Sequence, residues 1–135
     1  MPAAAPPDSK TVRLVHLSLI AGILLFLGVA LVTRKPTAGA ADSPLPVIML
    51  AAGVPLLVLS QLVRARIPAR LATEPADAWW PAHYSRAMIV WSLIEAASLM
   101  GLVSFWVTGN QISLGLPAAG LVLFVLTAPG RLAGE

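Results

Sequence analysis

The sequence has no cysteine, only two histidines and little charge. Without cysteine the chain has no disulfide, no thiolate metal site and no cysteine nucleophile. His16 and His83 lie in different segments, so no histidine–carboxylate cluster has metal-ligand spacing. Glycine-rich phosphate loops are also missing. We therefore expect no metal, no cofactor and no enzymatic activity.

The small number of charged residues also limits the class of protein to which this chain can belong. Charged residues make up 11% of the 135 residues, against about 25% in soluble domains. Hydrophobic residues make up 58%, which is more apolar surface than a chain of one-domain length can bury in water. A lipid bilayer removes this difficulty because it is itself an apolar solvent. The composition predicts an all-α integral membrane protein whose first partner is the bilayer.

Four apolar stretches approach the length of about 20 residues that a helix needs to cross the hydrocarbon core. Lipid offers no partner to backbone N–H and C=O groups, so each stretch is expected to be a helix. A short Thr108–Gln111 turn predicts that the last two helices form a tight antiparallel pair. We expect four transmembrane helices packed as two antiparallel hairpins, with spans at about 14–33, 45–63, 87–108 and 112–128.

These spans form one transmembrane domain over residues 13–130. Residues 1–12, rich in alanine and proline, are expected to be a disordered tail. Ala38-Gly39-Ala40 has the small-x-small form of a signal-peptidase site. However, the apolar run before it is longer than the 7–15 residues that are usual for a signal peptide. Since Arg34 and Lys35 also intervene, we expect the first segment to be retained.

The basic residues set the expected orientation. With four spans, the N-terminus, the middle connection and the C-terminus lie on one side of the membrane. Cytoplasmic connections carry an excess of Lys and Arg, which predicts a bacterial inner-membrane protein with both termini in the cytoplasm. The net charge of +3 therefore reflects topology, and no nucleic acid is expected. The basic residues on the expected cytoplasmic side are Lys10, Arg13, Arg64, Arg66, Arg70, Arg86 and Arg131.

One acidic residue, Glu95, falls near the middle of the third span. A carboxylate at this depth costs about 2.5–3.5 kcal/mol on insertion scales. The cost is relieved if the carboxyl is protonated, pairs with a cation or lines a wet cavity. No Lys or Arg lies at that depth in the sequence, so protonation or a polar pocket remains. Ser92 and Ser98, three residues away on either side, are candidates to share hydrogen bonds with it.

Two interpretations of Glu95 stay open. It is a proton or sodium site, or it is a neutral acid that joins helices by hydrogen bonds. Helix packing is expected to use two small-xxx-small pairs, Ser18 with Gly22 and Ala97 with Gly101, because small residues let helix backbones approach closely. Trp79, Trp80 and Trp106 are predicted to be interfacial anchors at the level of the lipid headgroups.

The run from Leu93 to Val103 resembles the carboxylate-bearing helix of the rotor-ring proteolipids, the c-type subunits of rotary ATP synthases. Glu95, Ala96 and Gly101-Leu102-Val103 match that motif. The resemblance implies that Glu95 binds an ion reversibly and that the chain forms a homo-oligomer or part of a larger membrane complex. The wider pattern, with Glu on the third helix before a Thr-Gly-Asn turn, resembles an uncharacterised bacterial four-helix membrane protein family.

The sequence thus favours a small multi-pass membrane protein, proteolipid-like, in which Glu95 binds a proton. The alternative is a structural or accessory subunit of a membrane complex with a permanently protonated Glu95. Exchange of Glu95 for Gln separates the two, since only the first predicts a loss of ion exchange.

Overall fold

The computed structural model describes residues 7–34 and 42–134, and this part of the chain contains helices and turns but no strand. The predicted all-helical class is thereby confirmed. A 3₁₀ helix at Gln111–Leu114 leads directly into the fourth α-helix. The α-helices are α1 at Ser9–Thr33, α2 at Leu45–Arg64, α3 at Ala76–Thr108, α4 at Gly115–Leu126 and α5 at Pro129–Leu132.

Three of these helices, α1, α2 and α3, are long and apolar enough to cross a membrane. The fourth apolar segment is shorter, because α4 has 12 residues and the 3₁₀ helix before it has four. At about 1.5 Å per α-helical residue and 2.0 Å per 3₁₀ residue, this segment is roughly 26 Å long. The core of a bilayer is about 30 Å thick, so the segment nearly matches that thickness.

The first helix begins earlier than expected, inside the predicted tail. Asp8 is its N-cap, and the Asp8 carboxylate accepts a hydrogen bond from the Thr11 backbone N–H at 2.8 Å. Hydrogen bonds from Thr11 lower the pKa of Asp8 below its usual value. The rest of the predicted tail, residues 1–6, and the Ala38–Ala40 motif lie outside the described residues.

The third helix also begins earlier, at Ala76 instead of residue 87. Its 33 residues make it about 50 Å long, roughly 20 Å more than a hydrocarbon core. The additional turns, residues 76–86, mix polar residues with Ala, Trp and Pro and contain no long apolar run. The length of the apolar run therefore could not predict these additional turns. Pro75 precedes the helix, and Gly109 ends it with φ of 70°, the left-handed conformation of a glycine C-cap.

The packing differs from the predicted pair of hairpins. Helix α3 is central and packs against α1, α2 and α4, whereas α1 and α2 have at most marginal contact among the described residues. The apolar stretches of α1 and α2 are mostly exposed, with 17% of each buried, against 50% for α3. The order of the helices along the chain permits two hairpins but does not decide which helix is central. The central helix is the one whose surfaces are complementary in shape to those of the other helices.

Polar contacts show which helix ends lie together. At one end of the bundle, the Ser9 backbone N–H donates to the Asp77 carboxylate at 2.9 Å, joining the starts of α1 and α3. The Arg70 guanidinium donates from Nε to the Ala133 carbonyl oxygen at 2.8 Å. The N-terminal end of α1, the α2–α3 connection and the C-terminal segment therefore share one end of the bundle.

At the opposite end, α1 and α3 meet through Arg34. Its Nη1 atom donates to the Gly109 carbonyl oxygen at 3.0 Å, and its guanidinium lies 5.0 Å from the centre of the Phe105 ring. Because α1 and α3 start together and end together, they run parallel.

Candidate ion-binding site

Glu95 lies on the flank of α3 that faces α1. Its Oε1 atom is 4.0 Å from the position that a Cβ atom would occupy at Gly22. Eight residues separate Glu95 from Ala87 and thirteen separate it from Thr108, which places it about 12 Å and 20 Å from the two ends of the apolar part of α3. The carboxyl is thus near the middle of the longest apolar helix.

Gly22 lies beside this carboxyl and has no side chain next to it. A side chain at that position would project toward Oε1, whereas glycine leaves only backbone there. Glu95 is half-buried and Gly22 is exposed, so the carboxyl lies at the outer edge of the α1–α3 seam, which we define by these two residues. It is reachable from the surface of the bundle and is not enclosed in its core.

The Glu95 carboxyl makes no hydrogen bond and no ion pair with any residue that the structure describes. The basic residues nearest to Gly22 along the chain lie toward the ends of α1: Arg13 is nine residues before it, and Arg34, the C-cap, is twelve residues after it, or about 13 Å and 18 Å along the axis. Near the middle of α3 this carboxyl is therefore an acidic group without a compensating partner in the described part of the chain.

The two serines proposed as partners do not gather around Glu95. Ser98 is fully buried on the face of α3 toward α4, where its hydroxyl donates to the Ile94 carbonyl oxygen at 2.8 Å. Ser92 is exposed on the outer face of α3. Three residues in either direction along a helix rotate the side chain by 60°, so the two serines lie about 120° apart with Glu95 between them.

The predicted packing pairs fall at different depths of the bundle. Ala97 and Gly101 are buried in the centre, whereas Ser18 and Gly22 are exposed on α1. The Ser18 hydroxyl donates to the Leu14 carbonyl oxygen within its own helix. The pair on α3 therefore allows close packing between helices. The pair on α1 instead leaves a surface without large side chains beside Glu95.

The tightest helix contact joins α3 to α4. A Cβ atom at Gly101 would lie 2.5 Å from the Ser113 carbonyl oxygen and 2.7 Å from Cδ of Pro117, and one at Gly120 would overlap the Ser98 hydroxyl. We call this contact the α3–α4 seam. Gly120 was missed in the sequence because no small residue lies four positions away from it to suggest a pair.

The predicted interfacial tryptophans divide into two groups. Trp106 is 45% exposed, and its indole N–H donates to the Thr33 hydroxyl at 3.1 Å. Trp79 and Trp80 are instead buried, with 2% and 1% of their surfaces exposed. They cannot reach lipid headgroups, because the extended N-terminal turns of α3 place them inside the bundle.

An aromatic cluster beside the site was not found from the sequence. Trp91 packs edge to face on His16, with ring centres 5.0 Å apart, and His16 packs in the same way on Phe124. His16 Nε2 lies 3.1 Å from the Phe124 carbonyl oxygen, and the Trp91 indole N–H donates to the Thr127 carbonyl oxygen at 3.0 Å. Since a carbonyl only accepts, Nε2 of His16 carries the hydrogen.

These two ring N–H groups cap the C-terminal end of α4, where carbonyl groups lose their helical partners. His16 is therefore a buried structural residue on α1. No signal in the sequence could connect His16 with a helix end more than a hundred residues away.

Chemically, this arrangement offers one carboxyl that can take up and release a proton. No group of three or more His, Cys, Asp or Glu side chains that could hold a metal ion occurs within residues 7–34 and 42–134. Compared with protein-family models, with curated proteins and with solved structures, the chain has no match.

Proposed function

We propose that the protein is a multi-pass membrane protein in which Glu95 binds and releases a proton within the bilayer. The observation that carries this proposal is the half-buried Glu95 carboxyl, which lies beside Gly22 at mid-helix depth without a hydrogen-bond or ionic partner among the described residues. Acidic groups within membrane helices are costly and are characteristic of ion and proton sites.

Membrane insertion is supported by the outer surface of the bundle. Large apolar side chains are exposed along α1 and α2, including Val32 at 85% and Val47 at 70%. Water would oppose such a surface, whereas lipid would solvate it. We propose four spans, the fourth formed by Gln111–Leu126, which nearly matches the thickness of a bilayer core.

The proposed orientation has both termini in the cytoplasm of a bacterial inner membrane. The end of the bundle that contains Ser9, Asp77 and Arg70 is also the end to which seven of the nine basic residues belong. The positive-inside rule assigns this end to the cytoplasm.

Proton exchange is favoured over a purely structural acid by the lack of a partner for the carboxyl. A protonated carboxyl that holds helices together would donate a hydrogen bond across the seam. Gly22, which lies beside the carboxyl across the seam, offers no side-chain acceptor. The resemblance to rotor-ring proteolipids points to the same role and to a homo-oligomer.

Labelling with dicyclohexylcarbodiimide, an apolar reagent that attacks protonated carboxyls, tests the proposal in nanodiscs across pH 5 to 9. We expect labelling of Glu95 that decreases as pH rises, measured by mass spectrometry of peptides. Glu95→Gln should abolish it, and Glu74→Gln, which removes a carboxyl in the α2–α3 connection, should leave it unchanged. Gly22→Leu should slow it by covering the carboxyl.

Absence of Glu95 labelling at every pH, in protein with native helix content, would contradict proton exchange. Glu95 would then be a sealed acid, and the accessory-subunit interpretation would replace the proposal. In proteoliposomes, proton uptake that is unchanged by Glu95→Gln would lead to the same conclusion.

A further inference from the structure

A second feature lies on the other flank of α1, where it runs beside α4. The two helices contact each other at few positions, and a cavity of about 390 Å³ opens between α1 and residues 125–131, which form the end of α4 and the segment that follows it. Leu17 and Ile20 of α1 and Val125 of α4 form apolar walls of this cavity, and Arg13 and Arg131 also line it. We call it the α1–α4 groove.

The α1 side chains of this groove fall on one face of that helix. Arg13, Leu17 and Ile20 are four and three residues apart, which is the spacing of one helical face. The face continues along α1 to Leu27 and Leu31, which line a second cavity of about 280 Å³ against α4. The contact between the two helices thus leaves two cavities at different positions along α1.

The two cavities differ in charge. The first is lined by two guanidinium groups, those of Arg13 and Arg131. The second is lined only by apolar side chains. A ligand that is anionic at one end and apolar along its length matches the first cavity and not the second.

The depth of the groove fits one lipid leaflet. From Arg13 to Ile20 the groove extends about 10 Å along α1, which is within the depth of one leaflet, about half of the 30 Å core. A headgroup held at the level of Arg13 and Arg131 would therefore place an acyl chain along Leu17, Ile20 and Val125.

We propose that the α1–α4 groove binds an anionic phospholipid, with Arg13 and Arg131 at its phosphate and its acyl chain between α1 and α4. Basic pockets between transmembrane helices on the cytoplasmic side bind acidic headgroups in this way. The site requires the membrane placement proposed above but is independent of Glu95.

Native mass spectrometry of the full chain in detergent tests the site with phosphatidylglycerol and phosphatidylcholine of identical acyl chains. We expect at least tenfold tighter retention of the anionic lipid. Each basic residue near the headgroup contributes about fivefold, so Arg13→Gln with Arg131→Gln should weaken phosphatidylglycerol binding roughly 25-fold. The matched control, Lys10→Gln with Arg66→Gln, removes two charges from the same end outside the groove and should have little effect.

A second variant keeps both arginines. Val125→Trp fills the exposed apolar wall and should displace the lipid without altering the charge, with native helix content and thermal unfolding as the check on folding. Inorganic phosphate at millimolar concentration should not compete, because it has no acyl chain.

Three results would overturn the proposal. Equal retention of the two lipids would show that the groove does not recognise charge. Equal loss in the control and groove variants would show attraction to the net charge of the surface. Displacement by inorganic phosphate would show a site for the free anion.

Discussion

The α3–α4 seam and the α1–α3 seam both contain glycine, yet they differ in what the glycine does. In the α3–α4 seam, Gly101 lets a backbone carbonyl and a proline ring approach so closely that a methyl group would collide with them. In the α1–α3 seam, a methyl group at Gly22 would meet only Glu95 Oε1, at an ordinary contact distance of 4.0 Å. The first glycine permits packing, whereas the second leaves space beside a carboxyl.

The difference indicates that one face of α3 is rigidly packed, whereas another flank of the same helix leaves Glu95 accessible. One face of this helix is fixed by close packing and by buried polar contacts, such as the Ser104 hydroxyl 2.8 Å from that of Ser113. The flank toward α1 keeps Glu95 at an open edge. A group that exchanges protons needs a route to its surroundings, and a tightly closed seam would deny one. Three alanine substitutions test this comparison.

Gly101→Ala should have the largest effect, a loss of about 2–3 kcal/mol in the free energy of unfolding. The new methyl group meets the Ser113 carbonyl oxygen and the Pro117 ring, and backbone and ring atoms cannot rotate away. Reversible unfolding in mixed detergent micelles, followed by circular dichroism, measures this loss. A change below about 0.5 kcal/mol, the size of an ordinary surface substitution, would refute the close contact.

Gly120→Ala should be intermediate, with a loss of about 1–2 kcal/mol. Its methyl group would overlap the Ser98 hydroxyl, a side-chain group that can be removed. Ser98→Ala in the same protein should therefore restore part of the loss, and the double-mutant cycle isolates this contact. Simple additivity of the two substitutions would show that the Ser98 hydroxyl is not the obstacle.

Gly22→Ala should have the smallest effect, within about 0.5 kcal/mol of the original free energy of unfolding. The added methyl group makes an ordinary contact with Glu95, and alanine favours the helix more than glycine does. A loss as large as that of Gly101→Ala would mean that the α1–α3 seam is packed as closely as the α3–α4 seam. The interpretation of Glu95 as an accessible group would then lose its basis.

The helices themselves could be predicted well, and the site only in part. Apolar length located α1, α2 and the apolar part of α3 to within a few residues, because a bilayer of fixed thickness demands that length. The turns of α3 from Ala76 to Arg86 lacked this signal, because polar and apolar residues are mixed along them. Glu95 was conspicuous as a charge in an apolar run, but its neighbours were not identified, since Ser92 and Ser98 face elsewhere and Gly22 approaches from another helix.

Burial of the tryptophans shows the same limit. Trp79 and Trp80 have the composition of an interfacial anchor, and only the position of their helix turns within the bundle makes them core residues. His16 likewise has no sequence feature that relates it to the C-terminal end of α4. Contacts between helices depend on the rotation of each helix about its axis, which hydropathy does not report when all sides are apolar.

The sequence by itself determined the helical class, the expectation of a membrane environment and the single acidic residue at mid-helix depth, because each follows from the solvation of backbone, apolar and charged groups. The tertiary structure alone decided that α3 is the central helix, that Glu95 lies beside Gly22 without a partner in the described chain, and that α1 and residues 125–131 form a cavity lined by two arginines. The physical reason is that solvation acts on each segment separately, whereas packing depends on the shapes of two surfaces at once.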